Sequence, residues 1–528
     1  MTLASLQARV TAAVQAKDWP VAAEALRGVT RLAPHSARAW IDLSYVESFR
    51  GRYRAAHEAI LSAANAPQRT NEDLADLIAR LRTFNDAAGV QAIARALIGA
   101  SDSDARLLAA CALQLSNLND HGLALACAQA AVSRQPADIA ARLARGQMLA
   151  QHGDIEGAAA DFQACLRQVP GLAQAWWSLS RLRKQSPEEN HVVPLRRLLA
   201  TPRLRPLDAA FAAFALHKEL DDLGDHDGAW GALEQACRAK RSTLSYAAGD
   251  SRALVDALSA MPTTTTTTTT VAHLQANART PVFIVGMHRS GTTLLEQLLD
   301  GSPQVRGVGE LYDFTSAMRH ATDHHCKGVI DATIVQRAAE VDFAQVGQRY
   351  LDGMAWRLGD QPFFTDKLPS NFLNIGFICR ALPQARILHM VRDPVETCFS
   401  NLRELFSDAN PHSYDQAELA DYFLQYRRLM AYWHSACPGR ILDVDYAQLT
   451  RDPEKVMRQV AAFCGIEYMD AMRDPRSSTR AVATASVVQV RERVVRREVP
   501  KWAPYARHLQ PLIAALRQGG VEVAEAFA

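Results

Sequence analysis

The chain has 528 residues, more than one hydrophobic core accommodates, so two or more domains are expected. With 58 basic and 56 acidic residues the formal net charge is +2, which excludes a general electrostatic affinity for nucleic acid or membrane surfaces. Nine cysteines stand singly with no CxxC pair, which fits a reducing compartment better than a disulfide framework. The opening stretch MTLASLQARVTAAVQAKDWP is amphipathic and charged and lacks the apolar core of a signal peptide. No run of 18 apolar residues occurs, so no transmembrane helix is expected, and the expected location is cytoplasmic.

The first half is rich in alanine and leucine with helical periodicity. Its prolines act as a ruler: Pro34 to Pro67 is a step of 33, Pro67 to Pro136 is 69, and Pro136 to Pro170 is 34. Trp40, Leu43, Gly51, Tyr53, Ala56 and Ala63 precede Pro67, and Ala141, Gly153, Ala158 and Cys165 precede Pro170. Small residues let paired helices approach, and the proline ends the second helix. This pattern resembles degenerate tetratricopeptide repeats, whose period is about 34 residues. Helices are also expected over 209–220 and 226–240. Trp176-Trp177 reads as packing between repeats. The expected organisation is an all-α tetratricopeptide-like repeat domain over 1–260, a linker over 261–280, and an α/β domain over 281–528. The linker holds eight consecutive threonines, Thr263 to Thr270, a poor helix-forming run.

The second half alternates strand-like and helix-like segments. Strands are expected at 282–285, 363–365, 386–391 and 440–444. Helices are expected from Thr292, over 394–406 behind the Asp393-Pro394 start signal, and from Asp452-Pro453. Such alternation predicts a three-layer, P-loop-like α/β domain with a parallel sheet, whose ligands bind at the carboxyl ends of the strands. The run Asp323-His324-His325-Cys326, with His320 upstream, has metal-ligating residue types. Sequence neighbours rarely converge on one ion, and no metal site is expected there.

Residues 281–299, PVFIVGMHRSGTTLLEQLL, combine a buried strand, a glycine-bounded loop and an amphipathic helix. Loop N–H groups and the helix N-terminus form a cradle for an anion. The spacing Gly286-x4-Gly291 imitates the nucleotide P-loop, but Thr292 stands where that motif has lysine, and Arg289 lies inside the loop. A second cationic position, Arg392, follows the strand 386–391, with Ser400 eight residues later on the next helix. An arginine fork and a hydroxyl suit a phosphate dianion.

The loop 286–293 and the Arg392–Ser400 pair resemble those of sulfotransferases dependent on PAPS, 3′-phosphoadenosine 5′-phosphosulfate, over roughly 281–505. The branch that is similar comprises the tyrosylprotein and tetratricopeptide-fused enzymes. The resemblance implies that Arg289, Ser290, Gly291, Thr292 and Thr293 hold the 5′-phosphosulfate, and that Arg392 and Ser400 hold the 3′-phosphate. It implies that Tyr446 and Lys501 also contact PAPS, that Glu310 is the general base, and that Lys367 and Ser486 complete the catalytic set. PAP is then the product, no metal is required, and the acceptor is a hydroxyl on a protein, peptide or small molecule. The repeat half is expected to present a peptide or protein partner, to self-associate or to brace the enzyme, and these alternatives stay open. Glu404 departs from that branch, which carries a basic residue there, so the acceptor stays open. Two other readings remain at this point: a repeat scaffold with a PAP-binding relic domain, and a P-loop kinase or NTPase.

Overall fold

The computed structural model describes residues 1–261, 279–477 and 499–523. From Leu3 to Gln168 the helices come in successive pairs: Leu3–Gln15 with Trp19–Leu32, Ala37–Phe49 with Tyr53–Asn65, Asn71–Thr83 with Ala87–Gly99, Ala105–Asn117 with His121–Arg134, and Ile139–His152 with Ile155–Gln168. The turn inside each pair holds one residue of positive φ: Lys17, Gly51, Asn85, Asn119 and Gly153, at intervals of 34 residues. Glycine and asparagine tolerate this conformation at lowest cost. The next residue, Asp18, Asp86, Asp120 or Asp154, caps the second helix by accepting the N–H of Val21, Gly89, Leu123 or Gly157. Gly224 and Asp225 repeat the device before helix His226–Arg241.

Each ruler proline follows the second helix of a pair, as its missing N–H requires. The long step from Pro67 to Pro136 holds two pairs, with 100–103 joining them where proline is absent. Three of the prolines share a further contact. Trp40 Nε1 donates to the Pro34 carbonyl at 3.0 Å, Arg142 Nε to Pro136 at 2.6 Å, and Trp176 Nε1 to Pro170 at 2.9 Å. Trp177 is buried beside Phe214, so this dipeptide packs the repeats as expected.

The described residues fall in two compact units, Met1–Leu149 with Tyr312–Gly353, and Ala150–Leu311 with Met354–Ala528. In the first unit, 312–353 packs on the helical pairs. Ser316 Oγ meets the Tyr53 hydroxyl at 2.9 Å and donates to the Phe84 carbonyl at 3.1 Å. Asp323 accepts the Arg54 N–H at 2.8 Å. The Asp323–Cys326 run disperses to separate partners: His324 to Asp331 at 2.8 Å, His325 against the Tyr53 ring, and Cys326 Sγ to the Gly328 carbonyl at 3.3 Å.

In the second unit the strands are β1 (Thr280–Gly286), β2 (Val305–Arg306), β3 (Phe363–Asp366), β4 (Arg386–Val391) and β5 (Ile441–Asp445). They form a five-stranded sheet, all parallel, in the order β2-β3-β1-β4-β5. One face carries Val282, Ile284, Leu388, Met390 and Val444 against Leu295, Leu298 and Leu299 of helix Thr292–Leu299 and Val456, Met457 and Val460 of helix Pro453–Cys464. On the other face helix Gln416–Ala436 brings Tyr426 to His389, and Trp433 covers Gly376 so closely that a Cβ there would lie 2.7 Å from the ring. The result is the expected three-layer parallel fold. The chain leaves β1 toward β2 and leaves β4 toward β5, which puts the topological switch point between the carboxyl ends of β1 and β4.

Local differences have local causes. The helix expected over 394–406 stops at Leu402, and Arg403 turns to Asp221 at 2.8 Å. After β5 a short helix, Tyr446–Arg451, precedes Pro453–Cys464. Proline disfavours helical geometry in the residue before it, and Asp452 caps the second helix through the Lys455 N–H. The threonine run lies outside the described residues.

Candidate functional site

The loop between β1 and helix Thr292–Leu299 is built from unusual backbone. Gly286, Arg289 and Gly291 have φ of +150°, +65° and +110°. Both glycines are also sterically required. A Cβ on Gly286 would sit 2.8 Å from the Met390 carbonyl, and one on Gly291 2.5 Å from the Tyr446 ring. Thr292 and Thr293 open the helix and are buried. Ser290 is 2% exposed, and its hydroxyl has no hydrogen-bond partner among the described residues. An unsatisfied buried hydroxyl costs about 1–3 kcal/mol. An anion accepting from Ser290 in this N–H-lined turn would remove that cost, so the loop fits a phosphate or sulfate group.

Arg392 follows β4, the neighbour of β1, and braces the loop. Its Nη1 donates to the Arg289 carbonyl and its Nη2 to Glu396, both at 2.9 Å, while the guanidinium lies 4.3 Å above the Tyr446 ring. Ser400 is half-buried on helix Pro394–Leu402, which starts one residue after the Asp393 cap. Tyr446 therefore touches both the loop and Arg392, packing on Gly291 and under the guanidinium. Lys501 is half-buried among the described residues, whereas Ser486 lies outside them.

The Arg289 side chain is 13% exposed, with Glu404 Oε2 3.9 Å from Nη1. Burial pulls its pKa below the usual guanidinium range, and the Glu404 charge opposes that shift. Glu404 also faces Arg181 at 3.5 Å. The acidic residue that departs from the similar enzymes is thus the counter-charge of the loop arginine.

Glu310 and Lys367 meet at the end of β3. Lys367 Nζ is 2.6 Å from Glu310 Oε1, and the lysine is fully buried. The turn carrying Glu310 is held from below. Lys367 N–H donates to the Gly309 carbonyl at 3.0 Å. Glu296, on the loop helix, accepts the Gly309 N–H and the Thr365 hydroxyl, each at 2.8 Å. The same helix thereby sets the anion cradle and the turn bearing Glu310.

The sequence reading did not single out Glu296, Glu396, His288 or Asn401. Glu296 had one signal, a carboxylate inside the apolar run LLEQLL. Asn401 Nδ2 donates to the His288 carbonyl at 2.7 Å and fixes the loop from the helix behind Arg392. Burial lowers the His288 pKa to about 4 against the opposing pull of Glu310, so its ring is neutral at pH 7.

The sulfotransferase family model matches residues 281–470. An uncharacterised protein of Aquifex aeolicus (strain VF5) is 29% identical over 339 residues, covering 63% of this chain and 44% of that protein. Protein-tyrosine sulfotransferase of Drosophila melanogaster is 26% identical over 198 residues, 36% of this chain and 39% of that protein. Protein-tyrosine sulfotransferase 2 of Gallus gallus is 26% identical over 197 residues, 36% of this chain and 52% of that protein. The chain thus spans about half or less of the length of these three relatives. No helix among the described residues is long and apolar enough to cross a membrane. Residues 281–470 thus resemble the sulfotransferase family, and they follow tetratricopeptide-like helical repeats in the chain.

Proposed function

We propose that the chain transfers a sulfuryl group from PAPS to an acceptor hydroxyl, with Glu310 as general base. The observation that carries this reading is the juxtaposition, at the ends of adjacent parallel strands, of an anion cradle, a braced arginine and a buried lysine–carboxylate pair. Bound PAPS supplies the sulfuryl group and a phosphate leaving group. The cradle N–H groups, Ser290, Thr292 and Thr293 hold the 5′ anion, and Arg289 offsets its charge. Arg392 and Ser400 take the 3′-phosphate, Tyr446 supports that contact, and Lys501 and Ser486 complete the enclosure. Arg392 shares its fork with Glu396, so the 3′-phosphate competes with that carboxylate.

Glu310 accepts the proton of the attacking hydroxyl. Lys367 keeps Glu310 oriented and offers its charge to the transferring group. A neutral His288 adds no competing positive charge beside the base. The chemistry requires no metal, because charge on the reacting oxygens is met by arginine, lysine and backbone N–H groups. The acceptor is a protein, a peptide or a small molecule, and the repeats present a partner to the enzyme.

The test is labelled-sulfate transfer from PAPS by purified protein across acceptor classes, with PAP binding measured in parallel. Transfer that disappears in Glu310→Gln while PAP binding persists supports the reading. PAP binding without transfer to any acceptor identifies a binding domain, and ATP turnover with magnesium identifies a nucleotidase; either overturns it.

A further inference from the structure

On the sheet face covered by helix Gln416–Ala436, three metal-ligating side chains converge. His389 comes from β4, Asp443 from the partner position on β5, and His434 from the last turn of helix Gln416–Ala436. Asp443 Oδ1 lies 2.7 Å from His389 Nδ1 and 2.9 Å from His434 Nε2. All three ligand atoms fall within 4.8 Å of one another. We infer that His389, His434 and Asp443 form a binding site for a divalent transition-metal cation such as zinc.

Four features favour a cation over a purely hydrogen-bonded cluster. First, the carboxylate's ion-pair partners here are two imidazoles, with no lysine or arginine paired to it among the described residues. Two neutral nitrogens and one anionic oxygen are a common donor set for zinc. Second, the spacing is close to what coordination needs. Tetrahedral bonds of about 2.0–2.2 Å place ligand atoms about 3.3–3.6 Å apart, so the two pairs, at 2.7 and 2.9 Å, need to widen by less than about 1 Å. Third, the inner ligand is oriented from behind. The remaining His389 nitrogen, Nε2, bonds the buried Tyr426 hydroxyl. A metal-bound histidine characteristically engages its far nitrogen in this way. Fourth, His434 lies at the carboxyl end of its helix, where the dipole favours positive charge.

The site is open on one side. His389 is 7% exposed, whereas His434 and Asp443 are 38% and 53% exposed. Three protein ligands and an open fourth position leave room for water. The ion also has a physical connection to the loop. The Tyr426 hydroxyl takes a hydrogen bond from the Met287 backbone as well as contacting His389. Metal on Nδ1 would place the His389 proton on Nε2, making His389 the donor to Tyr426.

The test uses the full chain, stripped with chelator, then titrated with Zn2+ or Co2+. Wild type is expected to bind one equivalent that survives dialysis and to show the intense visible spectrum of Co2+ with fewer than six ligands and no thiolate band. His434→Ala and Asp443→Asn should each lose that equivalent, and Tyr426→Phe should weaken it about 10–100-fold. Both removed side chains are substantially exposed, and thermal melts confirm that the variants fold. Equal stoichiometry in wild type and variants overturns the assignment, as does a Co2+ spectrum of the six-coordinate aquo ion or one with a thiolate band. The nine cysteines are buried, so a thiolate signal would point to a different site.

Discussion

Lys367 and Glu310 share a 2.6 Å contact but divide their burial unequally, the lysine sealed from solvent and the carboxylate side chain 36% exposed. The consequence is asymmetric. Removing the lysine leaves a carboxylate that water can reach, whereas removing the carboxylate strands an ammonium in the interior. Glu310→Gln, which keeps an acceptor for the lysine, should reduce transfer by ~10²–10⁴-fold and leave PAP affinity unchanged, measured by labelled transfer and calorimetry. Glu310→Ala should lower stability by roughly 1–3 kcal/mol more than Lys367→Met in denaturant melts.

Arg392 is expected to discriminate cofactors by their 3′-phosphate. Loss of charge-assisted hydrogen bonds of about 1.5–3 kcal/mol converts to a weakening of roughly 10–150-fold. Arg392→Ala should lose that much affinity for PAP, while binding of the adenosine 5′-phosphate that lacks the 3′ group changes little. Arg392→Lys should rescue only partly, because lysine cannot bond the Arg289 carbonyl and Glu396 while stacking on Tyr446.

Gly291→Ala adds a methyl group 2.5 Å from the Tyr446 ring at a φ of +110°. Backbone strain of about 1–3 kcal/mol and a displaced tyrosine follow together. PAP binding should fall more than global stability does, a comparison available from calorimetry and thermal melts on one preparation.

Acid should unfold the protein earlier than its net charge suggests. Burial holds His217, His288, His320 and His325 at about 4, and pushes His412 well below the ordinary imidazole range. The folded state keeps these rings neutral, whereas an unfolded chain protonates them near 6.5. Their contribution is complete above about pH 6.5 and is lost as pH falls toward 4. The urea midpoint should drop steadily over that window.

Lys17 occupies the repeat turn where other pairs use glycine or asparagine, at a φ of 56°. Lys17→Gly should stabilise the first compact unit by roughly 1 kcal/mol, seen as a higher denaturant midpoint.

The β1, β3 and β4 strands were legible because short apolar runs end in glycine, aspartate or arginine at their carboxyl ends. The repeat period was legible from Pro34, Pro67, Pro136 and Pro170. The steadier marker was the positive-φ turn from Lys17 to Gly153, which the sequence hides because three residue types fill one conformation. Other features had no local signal. Ser316 lies 263 residues from Tyr53 along the chain, and no periodicity announces a contact at that range. Glu296 looked like an interruption of an apolar helix face, since its partners, Gly309 and Thr365, sit on other elements. Arg392 was visible as a cation, but its engagement with the Arg289 carbonyl depends on β1 and β4 being adjacent.

The chain passes between the two compact units at residues 149–150, 311–312 and 353–354. No single cleavage can therefore release one unit from the other. A truncated protein beginning at residue 279 would keep every strand of the sheet, yet it would carry 312–353 without Tyr53, Arg54 and Phe84, on which that segment rests. Its newly bared surface would begin two residues after Glu310. Dissecting enzyme from repeats is thus a problem of threading, and a shortened protein that aggregates would report a severed fold before it reported anything about catalysis.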